Sequence, residues 1–430
     1  MTESNHTTEG QEPNTASVPL TGRFGLLGKT LGHSYSPQIH SALGYPDYDL
    51  FERQEDELAD FFANPTLQGC NITIPYKVNA LKACDEVSDI ARRIGCVNTM
   101  VRRNGGWYGH NTDYDGFRYA LRHGNIDVAG KVVLILGDGA TSGTIHTAIE
   151  DEKAASITHI SRKKSPKYED IAQFYDTADI IINATPVGMY PHSPHRIIDL
   201  KPFKHLSGVV DVIYNPTRTD LLLQAETLGI PYVGGLAMLV AQAVYAARLF
   251  HNVDIDDNEI AKIVHSMTNA QENIILIGMP GVGKTTVGQA LADLTGRTFI
   301  DCDDAFNGLY EFPSDYITRH GENSFRIKET AILSSLQSER GLIIATGGGV
   351  VTRPENYALL RQNGRMYWLQ RPIDDLSMEG RVLSGNSREK LHQLFKVREP
   401  LYRQFSQETI AFTDPNEAAQ RIFESFQKVR

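Results

Sequence analysis

The eight residues 278–285, Gly-Met-Pro-Gly-Val-Gly-Lys-Thr, are the feature that most constrains how this chain can fold. They follow an apolar run over residues 274–277 and precede a segment with apolar side chains at helical spacing. A strand, a glycine loop and a helix in this order form a phosphate cradle, because glycine lets successive backbone N–H groups face phosphate oxygens and the helix adds its N-terminal dipole. The alternative is a glycine-rich turn with a chance lysine, which the full spacing disfavours.

This loop predicts a nucleotide-binding α/β unit in the second part of the chain. Lys284 is placed to reach the terminal phosphates, and Thr285 to put its hydroxyl on Mg²⁺. Because the loop begins after more than half of the chain, we expect another complete unit before it. The predicted nucleotide-binding residues are Gly278, Gly281, Val282, Gly283, Lys284, Thr285 and Thr286.

Length and composition bound the class of protein. A chain of 430 residues with 41% hydrophobic and 22% charged residues predicts two or three soluble globular domains. The formal charge of −10 argues against a nucleic-acid surface. The four cysteines show neither a Cys-x-x-Cys pair nor zinc-ligand spacing, and no apolar run is long enough for a membrane span. We therefore expect a cytoplasmic protein whose partners are small molecules.

Strand and helix patterns alternate along the chain, which predicts α/β architecture. Residues 1–20 are polar and are predicted to form a disordered tail. Up to about residue 120, strands near Leu26 and over 69–74 alternate with helices over 36–43 and 77–94. The other predicted elements are a long apolar helix over 236–250 and strands over 131–136, 157–160, 180–184, 209–213, 232–235, 298–300, 342–345 and 366–369.

A second glycine loop, Gly137-x-Gly139, follows the strand over 131–136 and precedes an apolar helix. This order is typical of a dinucleotide site, although the third fingerprint position is Ser142 rather than glycine. The next strand ends in Ser-Arg-Lys-Lys over 161–164, without the acidic residue that binds an NAD ribose. Cations suit a 2′-phosphate, so NADP is favoured over NAD, while a solvated basic loop is the alternative.

Several motifs in the first part of the chain resemble the shikimate dehydrogenase family. They are Gly-His-Ser-Tyr-Ser-Pro (32–37), Gly-Cys-Asn-Ile-Thr-Ile-Pro-Tyr-Lys (69–77), Cys-Val-Asn-Thr (96–99) and Gly-His-Asn-Thr-Asp (109–113), with later agreement over 182–189, 211–216 and 235–243. The resemblance covers about residues 22–267. It implies reduction of 3-dehydroshikimate to shikimate with NADPH.

The resemblance also implies roles for residues. Carbonyl reduction needs a proton for the developing alkoxide and a cation to stabilise it. Lys77 can provide both, and the resemblance pairs it with Asp113. The substrate is expected to bind Ser34, Ser36, Thr73, Asn98, Asp113, Tyr214 and Gln242, with Asn71 as a further candidate; the cofactor is expected to bind Gly137, Gly139, Ala140, Ser161, Arg162, Lys163, Gly235 and Met238. The residues alone also allow Ser36 to be a helix cap, and Asn-Thr-Asp over 111–113 a turn and cap.

Two carboxylates, Asp301 and Asp303, end the strand that follows the phosphate loop. Asp301 suits magnesium and Asp303 suits an acceptor hydroxyl, as base or orienter; a helix-cap pair is the alternative. The strand over 342–345 ends in Ala-Thr and lacks the aspartate of motor ATPases, which favours a small phosphotransferase. Glycines at 347–349 allow a ligand close to the backbone, or form a flexible turn.

Together with Phe325-Arg326 and Arg-Glu-Pro-Leu-Tyr over 398–402, these pieces resemble shikimate kinase. The resemblance implies that Arg326 and Arg398 clamp the substrate carboxylate, that Gly348 and Gly349 line the ring, and that Arg381 is the lid arginine. The lid departs from the family: it reads Arg-Val-Leu-Ser over 381–384, and no arginine stands over 377–380, where one is expected to stack on adenine. Arg381 as a solvated lid residue is the alternative.

The two resemblances together predict a bifunctional shikimate-pathway enzyme that uses NADP(H), ATP and Mg²⁺. The expected domains are a substrate-binding α/β domain over 22–120 and 237–267, a Rossmann NADP-binding domain over 121–236, a linker over 268–272 and a P-loop, nucleoside-monophosphate-kinase-like domain over 273–430. Two alternatives stay open. The C-terminal domain could be a nucleotide-binding regulatory module without turnover, or the first part could be a catabolic NAD-linked quinate/shikimate dehydrogenase.

Overall fold

Three β-sheets organise the computed structural model, which describes residues 22–32, 34–377 and 387–428. The predicted tail over residues 1–20 lies outside the described residues, as does the predicted lid residue Arg381. Each sheet carries helices on its faces, so the predicted α/β class is confirmed.

The first sheet has six strands and a mixed topology. Its strands are β1 (Arg23–Gly28), β2 (Tyr48–Glu52), β3 (Leu67–Ile72), β4 (Glu86–Val87), β5 (Thr99–Arg103) and β6 (Gly106–His110), and its helices are α1 (Ser36–Ala42), α2 (Leu58–Ala63), α3 (Lys77–Ala83), α4 (Asp89–Ile94) and α5 (Thr112–His123), with a 3-10 turn at Glu55–Glu57. The strand order is β2-β1-β3-β5-β6-β4. β1 is parallel to β2 and β3, whereas β5 and β6 form an antiparallel hairpin beside β3.

The single helix predicted over residues 77–94 is wrong, because α3 and α4 are separated by β4. Polar side chains mark the break. The Asp85 carboxylate accepts a hydrogen bond from the Trp107 backbone N–H at 2.7 Å, which holds this segment beside β6. Ser88 then caps α4 by accepting from the Ala91 N–H at 3.2 Å. The apolar spacing continues across the break, so periodicity alone merged the two helices.

The second sheet is fully parallel and begins the dinucleotide-type unit. Its strands are β7 (Val132–Leu136), β8 (Ser156–Ile160), β9 (Ile180–Asn183), β10 (Gly208–Asp211) and β11 (Tyr232–Val233), with helices α6 (Ala140–Asp151) and α7 (Asp220–Thr227) and a 3-10 segment at Tyr168–Phe174. The strand order is β11-β10-β9-β7-β8. The three inner strands β7, β9 and β10 are almost continuously apolar, as expected for a parallel sheet covered on both faces.

Two long helices, α8 (Gly235–His251) and α9 (Asp257–Gln271), return the chain from the second sheet to the first unit. α8 packs closely against α5, where a Cβ on Gly116 would lie 2.7 Å from the Met238 carbonyl oxygen. Glycine is therefore required for this approach. Across the described residues, no helix combines the length and apolar character that a membrane crossing needs.

The third sheet belongs to the phosphate-loop unit and is parallel. Its strands are β12 (Asn273–Ile277), β13 (Phe299–Asp301), β14 (Ile343–Ala345), β15 (Gly364–Gln370) and β16 (Glu408–Ala411); its helices are α10 (Lys284–Thr295), α11 (Cys302–Leu309), α12 (Pro313–His320), α13 (Glu322–Leu336), α14 (Glu355–Arg361), α15 (Arg388–Phe405) and α16 (Pro415–Gln427), with 3-10 turns at Val350–Thr352 and Ile373–Asp375. The order β13-β14-β12-β15-β16 puts the loop at the carboxyl end of the central strand.

A single residue, Glu272, separates α9 from β12. The segment predicted as a linker over 268–272 is thus helical for all but its last residue. Glu272 is buried and pairs with Arg218 at 2.5 Å and with Arg365 at 3.0 Å. Burial would raise the pKa of Glu272, but the neighbouring arginines outweigh it and lower that pKa to about 2. This charge cluster joins the second and third sheets.

Candidate active sites

Lys77 and Asp113 meet between the first and second sheets. Lys77 is the first residue of α3, and Asp113 lies in the first turn of α5, after Asn111 caps that helix. The Lys77 Nζ donates to Asp113 Oδ2 at 2.6 Å, and about 15% of each side chain is exposed. Burial lowers the pKa of Lys77, but the Asp113 carboxylate more than offsets it, so that pKa is raised. Asn111 therefore caps α5, as the alternative interpretation of residues 111–113 predicted. The Asp113 carboxylate, in contrast, faces the Lys77 ammonium.

A cavity of about 590 Å³ opens at this ion pair. It is lined from both sides, by the first unit and by the loop and helix that follow the second sheet. Every substrate residue predicted for this part of the chain lies on its wall. These lining residues are Ser34, Ser36, Asn71, Thr73, Lys77, Asn98, Asp113, Tyr214 and Gln242, and the predicted cofactor residues Gly235 and Met238 also line it.

Hydrogen bonds fix the polar groups of this cavity. Asn98 Oδ1 accepts from the Thr112 N–H at 2.7 Å, and Asn71 Oδ1 accepts from the Tyr48 hydroxyl at 2.7 Å. Ser36 donates its backbone N–H to Ser34 Oγ at 3.2 Å, so Ser36 begins α1 without capping it by its side chain. A cavity with several oriented amides and hydroxyls beside one cation suits a polyhydroxylated carboxylate. Sequence reasoning did not include Tyr48, which has no motif of its own.

The glycine loop between β7 and α6 forms the second part of this site. Gly137 has a φ of +119°, a conformation that favours glycine, and a Cβ on Gly139 would meet no atom within 4 Å. The N-terminus of α6 thus faces open space. Arg162 and Lys163 are exposed beyond the end of β8, and Ser161 Oγ accepts from the Lys163 N–H at 3.3 Å. These predicted cofactor residues therefore share one edge of the sheet.

Ser142 explains the departure from the glycine fingerprint. It is buried, and its hydroxyl donates to the Gly137 carbonyl at 2.9 Å. The same oxygen lies 2.9 Å from His159 Nδ1. Ser142 thus supports the loop from behind, and its side chain does not fill the space beside Gly139.

The phosphate loop after β12 curls around Lys284. Gly278, Gly281 and Gly283 have φ values of +145°, +76° and +101°, which favour glycine at each position. The Lys284 Nζ donates to the carbonyls of Gly278 at 3.0 Å and Met279 at 3.1 Å. Beside the loop is a cavity of about 620 Å³ that is lined by Val282, Trp368, Arg371 and Phe412, among others.

Asp301 acts in two ways at the end of β13. Its Oδ1 accepts from the Asp303 N–H at 2.9 Å and caps α11, while its Oδ2 accepts from the Thr285 hydroxyl at 2.6 Å. Asp301 is therefore a helix cap, as the alternative interpretation predicted, and it also contacts Thr285 of the phosphate loop. Desolvation and the neighbouring carboxylates raise the pKa of Asp303, although Lys284 and Arg326 act against this. Within the described ranges, no cluster of three His, Cys, Asp or Glu side chains is arranged for a metal ion.

The glycines at 347–349 leave no room for side chains, because Cβ atoms added to them would collide with neighbouring residues. A Cβ on Gly349 would lie 1.9 Å from Arg326 Nη2, and one on Gly348 would lie 2.5 Å from Pro280 Cδ. Arg398 Nη1 donates to the Gly348 carbonyl at 3.1 Å. Arg326 and Arg398 thus converge on this turn beside the phosphate loop, and both are buried.

Two acidic residues that sequence reasoning missed hold these arginines. Glu329 Oε2 accepts from Arg326 Nη1 at 2.7 Å, and Glu322 Oε1 accepts from Arg326 Nη2 at 3.1 Å and lies 3.7 Å from Arg398 Nη2. Burial raises the pKa of Glu329 despite Arg326. The sequence spacing could have predicted these contacts, because Glu322 stands four residues before Arg326 and Glu329 three residues after it on one helix.

Comparison with protein families identifies both halves of the chain. The family model described as "Shikimate dehydrogenase substrate binding domain" matches residues 26–100, and the model described as "Shikimate kinase" matches residues 280–428. Both predicted resemblances are therefore confirmed. The second match covers the phosphate loop after Met279, the two carboxylates and both arginines.

Similar proteins and solved structures cover the first half. The chain is 34% identical over 253 residues to a shikimate dehydrogenase (NADP(+)) of Clostridium perfringens (strain SM101 / Type A), covering 54% of this chain and 93% of that protein. It is similar to the crystal structure of a chorismate mutase/shikimate 5-dehydrogenase fusion protein from Clostridium acetobutylicum (33% identity, TM-score 0.55) and to that of shikimate dehydrogenase 1 from Peptoclostridium difficile (35%, TM-score 0.51). Each match covers 57% of this chain and 97% of the solved one. The chain belongs to the shikimate dehydrogenase family and carries a shikimate kinase domain at its C-terminus.

Proposed function

We propose that this protein catalyses two consecutive reactions of the shikimate pathway. The dehydrogenase half reduces 3-dehydroshikimate to shikimate with NADPH, and the kinase half phosphorylates shikimate at its 3-hydroxyl with ATP and Mg²⁺. The observation that carries the proposal is the Lys77–Asp113 pair, which lies in a cavity lined by oriented amides and hydroxyls.

Lys77 is the proposed proton donor of the reduction. Its raised pKa keeps the ammonium charged at neutral pH, so that it can donate to the oxygen that becomes the new hydroxyl. Asp113 orients the ammonium and, with it, contacts the substrate. Ser34 and Ser36 hold the substrate carboxylate, and Thr73, Asn98, Tyr214 and Gln242 complete the set that orients the ring, with Asn71 beside them.

The glycine loop and the basic segment fit NADP. The open space at Gly139 and the free N-terminus of α6 suit a pyrophosphate. NADPH would supply the hydride. Ser161, Arg162 and Lys163 would hold the 2′-phosphate, while Gly137, Gly139, Ala140, Gly235 and Met238 would contact the rest of the cofactor. The exposed cations support NADP, and the Clostridium perfringens relative is named a shikimate dehydrogenase (NADP(+)).

The kinase half fits ATP and its metal. ATP would supply the phosphoryl group, held by Gly278, Gly281, Val282, Gly283, Lys284, Thr285 and Thr286. Thr285 and Asp301 would bind Mg²⁺, which commonly takes only one or two protein ligands, so a larger cluster is not needed. Asp303 would orient the attacking hydroxyl. Arg326 and Arg398 would bind the shikimate carboxylate beside Gly348 and Gly349, and Arg381, outside the described residues, would neutralise charge on the phosphoryl group.

A paired assay of one preparation tests both halves. We expect NADP⁺-linked oxidation of shikimate and shikimate-dependent release of ADP. Binding of ATP without ADP release would favour the regulatory-module alternative for the kinase half. A higher kcat/KM with NAD⁺ than with NADP⁺ would favour the catabolic alternative for the dehydrogenase half. Absence of shikimate oxidation in soluble protein would overturn the main proposal.

A further inference from the structure

A short turn of the kinase domain, residues 337–341, reaches the dehydrogenase site. It follows α13, which carries Arg326 of the kinase site and ends at Leu336. The Gly341 N–H donates to the Gln271 carbonyl at 3.2 Å, and the Asn273 side chain donates to the Glu339 carbonyl at 2.9 Å. These bonds to the end of α9 and the start of β12 hold the turn in place.

Arg340, at the tip of this turn, lies over an aromatic ring of the other domain. Its Cζ is 5.6 Å from the centroid of the Tyr35 ring. In the part of the chain that the structure describes, Arg340 has no ion pair and no side-chain hydrogen bond. Burial lowers its pKa, as expected for a half-buried guanidinium without a carboxylate. Among the described residues, the Tyr35 ring is thus the main partner of the Arg340 guanidinium.

Tyr35 links this contact to the substrate cavity. It stands between Ser34 and Ser36, which both line the cavity, and its ring meets Tyr214 edge-on with centroids 5.5 Å apart. Tyr214 lines the same cavity and belongs to the loop that follows β10. A movement of the Tyr35 ring would therefore displace Ser34 and Ser36, which flank it in the chain, and Tyr214, which it contacts.

The kinase domain also holds the loop that follows Tyr214. Asn363 Oδ1 accepts from the Thr217 N–H at 2.9 Å, and the Gln362 carbonyl accepts from the Arg218 N–H at 3.0 Å. The Tyr190 hydroxyl donates to the Gln337 carbonyl at 2.6 Å. Contacts from the kinase domain thus reach both sides of the Tyr35–Tyr214 pair.

We propose that the kinase domain supplies a positioning residue to the dehydrogenase site: Arg340 holds Tyr35 against Tyr214 and so fixes the wall that contacts shikimate. This inference rests on the proposed dehydrogenase activity. Arg340 touches neither the Lys77–Asp113 pair nor the glycine loop, so its effect is confined to substrate binding. The Arg340–Tyr35 contact is a cation–π interaction. Its removal should weaken shikimate binding about two- to fivefold.

The test is shikimate oxidation by full-length variants. Arg340→Ala should raise KM for shikimate about two- to fivefold, with kcat, KM for NADP⁺ and kinase turnover near wild type. Arg340→Lys keeps a cation and should restore most of the affinity. Arg319→Ala is the matched control, since this kinase-domain arginine is exposed and pairs only with Glu311 at 2.8 Å among the described residues. In a Tyr35→Ala background, Arg340→Ala should add nothing further.

The outcomes separate this inference from the proposed function. Additive effects of Tyr35→Ala and Arg340→Ala, or an unchanged KM in Arg340→Ala, would overturn the positioning role in an otherwise active enzyme. Parallel losses in both activities would show that Arg340 serves folding alone, which also overturns it. A wild-type protein without shikimate oxidation would overturn the proposed function itself.

Discussion

The Nζ of Lys77 lies 2.6 Å from Oδ2 of Asp113, although the two residues are 36 positions apart in the chain. They come from the first turns of two helices that belong to one unit, α3 and α5. The contact gives the proposed proton donor a fixed charge and direction.

Loss of the Lys77 ammonium should selectively remove the dehydrogenase activity. We expect Lys77→Ala to lower kcat for shikimate oxidation by about 10²- to 10⁴-fold, the usual contribution of a positioned general acid or base. Kinase turnover should remain near wild type, because Lys77 lies in the other half. Lys82→Ala is the control, since Lys82 is on the same helix but exposed. Equal loss of both activities would argue against the assigned role.

The charge of Asp113 should be visible in the pH dependence. Oxidation of shikimate requires a neutral Lys77, and Asp113 holds the pKa of Lys77 above its ordinary value, so kcat/KM should rise with pH through the neutral and basic range. In Asp113→Asn the carboxylate is lost while burial remains, and burial lowers a lysine pKa. In this variant the rise of kcat/KM with pH should therefore occur at lower pH than in wild type. An inflection at the wild-type pH in this variant would contradict the proposed coupling.

A methyl group at position 349 should damage the kinase substrate site alone. In Gly349→Ala the new Cβ would lie 1.9 Å from Arg326 Nη2, so the guanidinium must move. Loss of its charged hydrogen bonds should raise KM for shikimate in the kinase reaction about 10- to 100-fold, with KM for ATP near wild type. Gly308→Ala is the control, because a Cβ there meets no atom within 4 Å. An unchanged KM for shikimate would exclude Arg326 from the clamp.

Neutralising Glu272 should weaken the junction. Removing one member of a buried charge cluster costs about 3–5 kcal/mol, so Glu272→Gln should lower the melting temperature at pH 7. The pKa of Glu272 is depressed from 4.5 to about 2 in the folded state, so its contribution is fully present above pH 4.5 and is lost as the pH falls toward 2. The difference in melting temperature between Glu272→Gln and wild type should shrink as the pH falls from 4.5 to about 2. Glu259→Gln on α9 is the control, because this carboxylate is half-exposed and pairs with Lys262 at the surface, so its melting temperature should stay close to that of wild type.

Much of the architecture followed from local patterns in the sequence. Glycine loops after apolar strands located both nucleotide-type units, because glycine adopts the positive φ found at Gly137 and Gly283 without steric cost. The Arg340–Tyr35 contact could not be predicted, because it joins residues 305 positions apart that share no motif. The break between α3 and α4 was missed because it depends on the Asp85–Trp107 bond, a tertiary contact that apolar spacing does not encode.

The junction at Glu272 also determines how the protein can be divided. With one buried residue between a helix and a strand, the described chain offers no exposed loop there for a protease to cut. A dehydrogenase half excised at residue 271 would leave Arg218 without its carboxylate, and it would lose Arg340 with the rest of the kinase domain. Kinetic constants measured on separated halves would therefore describe altered enzymes, and each activity is best measured in the intact chain.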